Sequence, residues 1–312
     1  MKTQRSSAGK RGFTLMELMV AMAITTIIVT VLVSITSIAL ETWNRSRAEL
    51  RASRQAKAML DVMGRDFESL VIRRGNNDEW LSALATVGSV GDARLESTNS
   101  CELIFFTAVT DRYNGDLGTN STTDKGGDVS CVSYSLDYKD PMDGGNTDFK
   151  TFVLNRLVVN PDDTFDDLLG KDDLDTEFAS YKSELKQPQN FVCENLFQFS
   201  VTFHVQVSKK DSNGVITSVE TVPVTIGQSG AGQMTKEFRI NGSGIDAEVT
   251  GGAATADEIK GGRIVAVEIS TTVISDFGIE QMKRRSMSES QKSDFLAQNS
   301  YQFTKLVQLP SM

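Results

Sequence analysis

From Leu18 to Leu40 the chain reads LMVAMAITTIIVTVLVSITSIAL, and none of these 23 residues carries a charge. No other feature restricts its folding as strongly. A bilayer's hydrocarbon core is about 30 Å thick and takes about 20 apolar helical residues to cross. The apolar part of a secretory signal is shorter, about 7–15 residues, and ends at a small-x-small cleavage site. Nothing of that kind closes this run, so residues 18–40 are expected to remain in a membrane as an anchor.

Charge sets the orientation. Lys2, Arg5, Lys10 and Arg11 precede the span, and the first acid is Glu17. Cytoplasmic flanks are rich in Lys and Arg, so the N-terminus is expected inside the cell and everything after Trp43 outside it. Trp43, followed by Arg45 and Arg47, suits the membrane–water interface.

Glu17 does not fit an ordinary anchor. It lies within the apolar stretch that starts at Phe13, where an ionised side chain costs roughly 2.5–3.5 kcal/mol near the helix centre and less near an end. Such a residue either snorkels to the headgroups or has a function. Gly12 precedes Phe13 where the basic and apolar segments meet, giving KRGFTLMELMV. Gly12, Phe13, Thr14, Leu15 and Glu17 together resemble the prepilin cleavage signature, G|F-T-L-x-E, of type IV pilins and type II secretion pseudopilins. The resemblance implies a prepilin peptidase that cuts between Gly12 and Phe13 and methylates the new Phe13 amine. It further implies that Glu17 pairs with the N-terminal amine of a neighbouring pilin-like subunit, fixing the stagger of helices in a filament at the inner membrane.

Beyond Trp43, apolar residues recur at Ala56, Met59, Leu60, Met63, Phe67 and Leu70, in steps of three and four. That is one stripe of an amphipathic helix. No breaker separates it from the anchor, so one helix of about 60 residues is expected, far longer than a globular helix. A coiled-coil stalk is the other use of such a helix, but heptads are not sustained. The rest reads as β-structure. Residues 197–207, FQFSVTFHVQV, alternate strictly, and a turn at 211–214 leads into a partner strand at 215–226. Further strands are predicted at 102–109, 129–138, 151–159, 236–240, 263–273 and 301–309, with a helix at 277–298. The expected fold is α+β: a transmembrane-plus-amphipathic helix packed on an antiparallel sheet. Its segments are a leader (1–12), the transmembrane half of the helix (13–41), its amphipathic half (42–73) and an extracytoplasmic head (74–312). LDVMGRDFESLV at 60–71, CENLFQFSVTF at 193–203 and GGRIVAVEIS at 261–270 loosely resemble the larger J-type minor pseudopilins. The head departs from them in its insertions at 111–128, 140–148, 161–177 and 227–234, which read as surface loops.

The head offers little for catalysis. The formal net charge is −9 and no basic patch lies beyond the N-terminus, which argues against nucleic acid as a partner. His204 is the one histidine and falls on the polar face of its strand with Thr202 and Gln206, so any Ser-His-Asp arrangement would have to use it. Cys101, Cys131 and Cys193 have no metal or redox spacing; one disulfide among them and three buried thiols are both open. The run 161–177 holds eight acids, with Asp162, Asp163, Asp166 and Asp167 as a calcium candidate because calcium takes clustered carboxylates. Its spacing is not that of an EF-hand, so a solvated acidic loop and no cofactor are expected. Three functions are thus in play: a structural filament subunit, of minor type given the bulk of its head; an N-terminally anchored periplasmic binding protein; and a membrane-tethered hydrolase. The Gly12–Phe13 junction and Glu17 favour the first.

Overall fold

The computed structural model describes residues 14–86, 90–92, 95–97, 99–108, 128–142, 149–211, 214–227, 234–249, 254–285 and 287–309. The leader, the Gly12–Phe13 junction and most of the insertions at 111–128, 140–148 and 227–234 lie outside them. By its contacts the chain divides into two compact units, Met1–Leu50 and Arg51–Met312.

In the first unit, α1 (Leu15–Glu68) begins. Its apolar side chains are exposed along the predicted span, from Leu15 at 77% to Leu40 at 56%, and it is long and apolar enough to cross a membrane. Hydroxyls inside the span bond back to the preceding turn: Thr25 to the Ala21 carbonyl, Thr26 to Met22, Thr30 to Thr26 and Thr36 to Leu32, each at 2.8 Å. Those donors are satisfied without water, as a hydrocarbon environment requires. The helix is continuous, as its unbroken pattern predicts.

In the second unit, the end of α1 is a core element. Ala52, Ala56, Met59, Leu60, Met63 and Phe67 are buried, matching the predicted stripe. The strands are β1 (Glu79–Ala85), β2 (Val90–Gly91), β3 (Glu96–Ser97), β4 (Cys101–Thr107), β5 (Ser130–Lys139), β6 (Thr151–Val159), β7 (Phe191–Glu194), β8 (Leu196–Lys210), β9 (Ile216–Ile226), β10 (Met234–Thr235), β11 (Glu237–Asn241), β12 (Gly244–Ala247), β13 (Arg263–Ile274) and β14 (Ser300–Gln308). They form a seven-stranded sheet, β12-β11-β1-β4-β5-β6-β7, a five-stranded sheet, β10-β9-β8-β13-β14, and the ribbon β2-β3. Among the described residues all strand pairings are antiparallel except that of β9 with β10. Phe67 joins α1 to both large sheets, stacking on Phe105 of β4 at 4.5 Å and meeting Phe203 of β8 edge-on at 6.5 Å. Phe203 in turn stacks on Phe238 of β11 at 4.4 Å.

Two expectations need correction. The predicted helix at 277–298 is two helices, α6 (Asp276–Arg284) and α7 (Glu289–Asn299), the second started by a capping box of Ser288 and Gln291. The acidic run at 161–177 is not a solvated loop. It and the residues after it form α2 (Pro161–Asp163), a π-helical turn (Thr164–Leu168), α3 (Leu174–Phe178) and α4 (Lys182–Leu185). Leu168, Leu174, Phe178 and Leu185 are buried against Trp80, Ile104, Phe106, Leu157 and Val159 on the outer face of the larger sheet. The acids point outward while the apolar residues between them seal that face, so burial wins over local polarity. Where the helix α5 (Ala256–Lys260) stands, no element was predicted.

Candidate functional site

Of the N-terminal signature, the described residues Thr14, Leu15 and Glu17 stand at the start of α1, and Gly12 and Phe13 lie outside the described residues. Thr14 is the residue before the helix, and its hydroxyl accepts from the Glu17 backbone N–H at 3.2 Å. Glu17 reaches back with Oε2, which accepts from the Thr14 N–H at 2.9 Å and from the Thr14 hydroxyl at 3.0 Å. The two residues form a reciprocal capping box, which satisfies backbone donors that a helix N-terminus leaves free. The carboxylate is also placed favourably at the positive end of the helix dipole. The box is legible in the sequence as T-x-x-E ahead of an apolar run. Beyond Glu17 no charged residue occurs until Glu41.

The other candidates are placed differently. Asp162, Asp163, Asp166 and Asp167 do not converge on one point. Asp163 accepts from the Asn160 amide at 2.7 Å, and Asp167 from the Tyr181 hydroxyl at 2.6 Å. Among the described residues no three His, Cys, Asp or Glu side chains stand as a metal-holding group. His204 lies on the polar face of β8 as expected, with Nε2 3.3 Å from Glu268 Oε2 on β13. Cys101, Cys131 and Cys193 are all free and buried. Burial pushes the three thiols upward, Cys193 to about 12, so they pack as small apolar groups.

A charged cluster that sequence reasoning missed ties α1 to the larger sheet. Asp66, 1% exposed, takes two bonds from Arg156 of β6, from Nε and Nη2, each 2.8 Å. The Tyr134 hydroxyl of β5 donates to the same carboxylate. Burial first, and the Asp66 charge second, hold the Tyr134 phenol well above its ordinary value, so it stays a donor. No sequence periodicity pairs residue 66 with residue 156.

The prokaryotic N-terminal methylation motif matches residues 7–33, which include the Gly12–Phe13 junction, Thr14 and Glu17. That motif leads directly into the apolar half of α1. Among solved structures, a type IV-like pilin from Thermus thermophilus aligns over 83% of this chain and 97% of its own, at 10% identity and a TM-score of 0.29. No curated protein sequence matches this chain significantly.

Proposed function

We propose that the protein is a structural subunit of a pilin-like filament, a type II secretion pseudopilus or a type IV pilus-like fibre. A prepilin peptidase cuts between Gly12 and Phe13, and the new Phe13 amine is methylated. The helix rests in the inner membrane, the head faces the periplasm or the exterior, and on assembly Glu17 pairs with the N-terminal amine of a neighbouring subunit. One observation carries this reading: from Leu15 to Leu40 the exposed apolar part of α1 has a single carboxylate, Glu17, held in a capping box next in sequence to the Gly12–Phe13 junction. A carboxylate at the membrane is tolerated only with a partner. Thr14 satisfies its hydrogen bonds but brings no charge, and an α-amino group released one residue before Thr14 would supply that.

The test is intact-mass and N-terminal analysis of the protein from native membranes. A chain that begins at N-methylated Phe13 is expected. An intact leader, or cleavage beyond residue 40, overturns the reading and leaves an anchored or secreted domain.

A further inference from the structure

A cleft of about 930 Å³ opens beside β11 and β12, at one edge of the larger sheet. Phe238, Ile240, Ile245 and Ala247 point from these strands into the core, so the intervening Glu237, Arg239 and Asp246 face outward. Glu79 forms the floor. Its side chain is only 1% exposed. Oε2 accepts from the Leu174 N–H at 2.6 Å and from Arg239 Nη1 at 3.3 Å, whereas Oε1 is buried with no partner. Arg239 is shared further with Asp173, at 3.2 Å, and with Glu237.

Around the rim, Asp172, Asp246 and Glu248 carry exposed carboxylates that make no hydrogen bond or ion pair among the described residues. Negative charge therefore exceeds what Arg239 and Lys236 compensate, and one buried acceptor atom is left over. An orphaned buried acceptor costs about 1–3 kcal/mol, and burial already holds the Glu79 carboxyl above the ordinary carboxylate range. A metal ion does not answer this arrangement. Calcium draws its oxygens to about 2.3–2.6 Å of one point, and these carboxylates do not converge. Ligand clefts run to about 300–1,000 Å³, so this one has room for several side chains with cations spaced apart.

We propose that the cleft docks a Lys- or Arg-bearing segment of a partner protein, drawn by the incompletely paired Glu79 carboxylate in its lining and by the exposed carboxylates of Asp172, Asp246 and Glu248. The site lies in the head and does not depend on the filament reading.

The experiment uses the full chain in detergent micelles and a fluorescent peptide that alternates Arg and Gly, with binding read by anisotropy. Binding is expected to weaken with salt. Reversing two rim charges, Asp246→Lys with Glu248→Lys, should weaken it by about tenfold or more, because like charges then meet across the interface. The control neutralises Asp162, Asp163, Asp166 and Asp167 to Asn, which changes net charge by the same amount away from the cleft; binding should hold within about twofold, the scatter expected of a change remote from the site. Thermal unfolding checks that both variants fold. Equal losses in the two variants would reduce the effect to bulk charge and overturn the site. So would no binding to the parent chain, or equal affinity for spermine, which would make this a small-amine pocket.

Discussion

At the scale of single residues, two buried carboxylates illustrate opposite outcomes of burying charge. Asp66 is fully answered: two Arg156 nitrogens and the Tyr134 hydroxyl surround it. Removing one partner of such a pair strands the other, which costs about 3–5 kcal/mol, more than the intact pair contributes. Asp66→Ala should therefore lower the unfolding free energy of the head by about that much in urea titrations. A loss under about 1 kcal/mol, the range of exposed pairs, would show that water reaches Arg156. Glu79 is only half answered, and its pH dependence has the reverse sign from that of a well-paired acid. Burial raises its folded-state value, so between the unfolded and folded values the folded chain binds more protons. Stability from this residue is present at low pH and lost as pH rises through the folded value. Asp173 behaves the other way. Its bond from the Thr176 backbone N–H is the main cause of a lowered value, and the stability it contributes is lost on acidification. Glu79→Gln, which cannot ionise, should thus gain on the parent chain as pH rises from the ordinary glutamate value through the raised folded one, the difference levelling off above it. A pH-independent difference would mean that Glu79 is not strained in its ionised form.

At the scale of elements, the sequence is legible where one physical constraint acts alone. In β8, Phe199, Val201, Phe203, Val205 and Val207 are all fully buried, and strict alternation announced it because only one face of that strand meets the core. The apolar run of α1 is plain for a similar reason, since 23 consecutive uncharged residues are long enough to cross a bilayer as one helix. β1 was missed. Glu79–Ala85 is buried on both faces, so EWLSALA shows no alternation, and its Ala and Leu read equally well as helix. The short edge strands β7 and β12 carry too few residues for a period to appear. In the acidic segment, Leu168, Leu174, Phe178 and Leu185 follow no single period, because they are spread over three separate short helical turns. Composition dominated there and gave the wrong answer. Phe178, fully buried and 5.7 Å from the Tyr181 ring, measures the error. Phe178→Ala should cost about 3–5 kcal/mol, the range for truncating a core phenylalanine. A solvated loop would lose almost nothing, so a change within about 0.5 kcal/mol in chemical denaturation would restore the original reading.

At the scale of the whole molecule, the proposed function turns on whether Glu17 acts as a helix cap or as a charge. The capping box accounts for Glu17 without any second subunit, since Oε2 already accepts from the Thr14 N–H and hydroxyl. A filament role needs the negative charge as well. Two substitutions separate these. Glu17→Gln keeps an acceptor at the third helical position, and Gln serves in capping boxes as Glu does, but the charge is gone. Glu17→Ala removes both. If the carboxylate pairs with a neighbour's amine, the two variants should fail alike, with recovered filaments or cross-linked neighbours falling by about tenfold or more, since an unpaired amine at the membrane costs well over 1.4 kcal/mol. Membrane retention should persist in both, because it rests on residues 18–40, and the head should unfold at the parent temperature, because Arg51–Met312 is a compact unit of its own. The measurement is filament yield in the native host alongside membrane fractionation. Assembly retained by Gln and lost only by Ala would assign Glu17 to helix capping and remove the intersubunit pair from the mechanism. Assembly retained by both would separate the N-terminal signature from filament formation altogether.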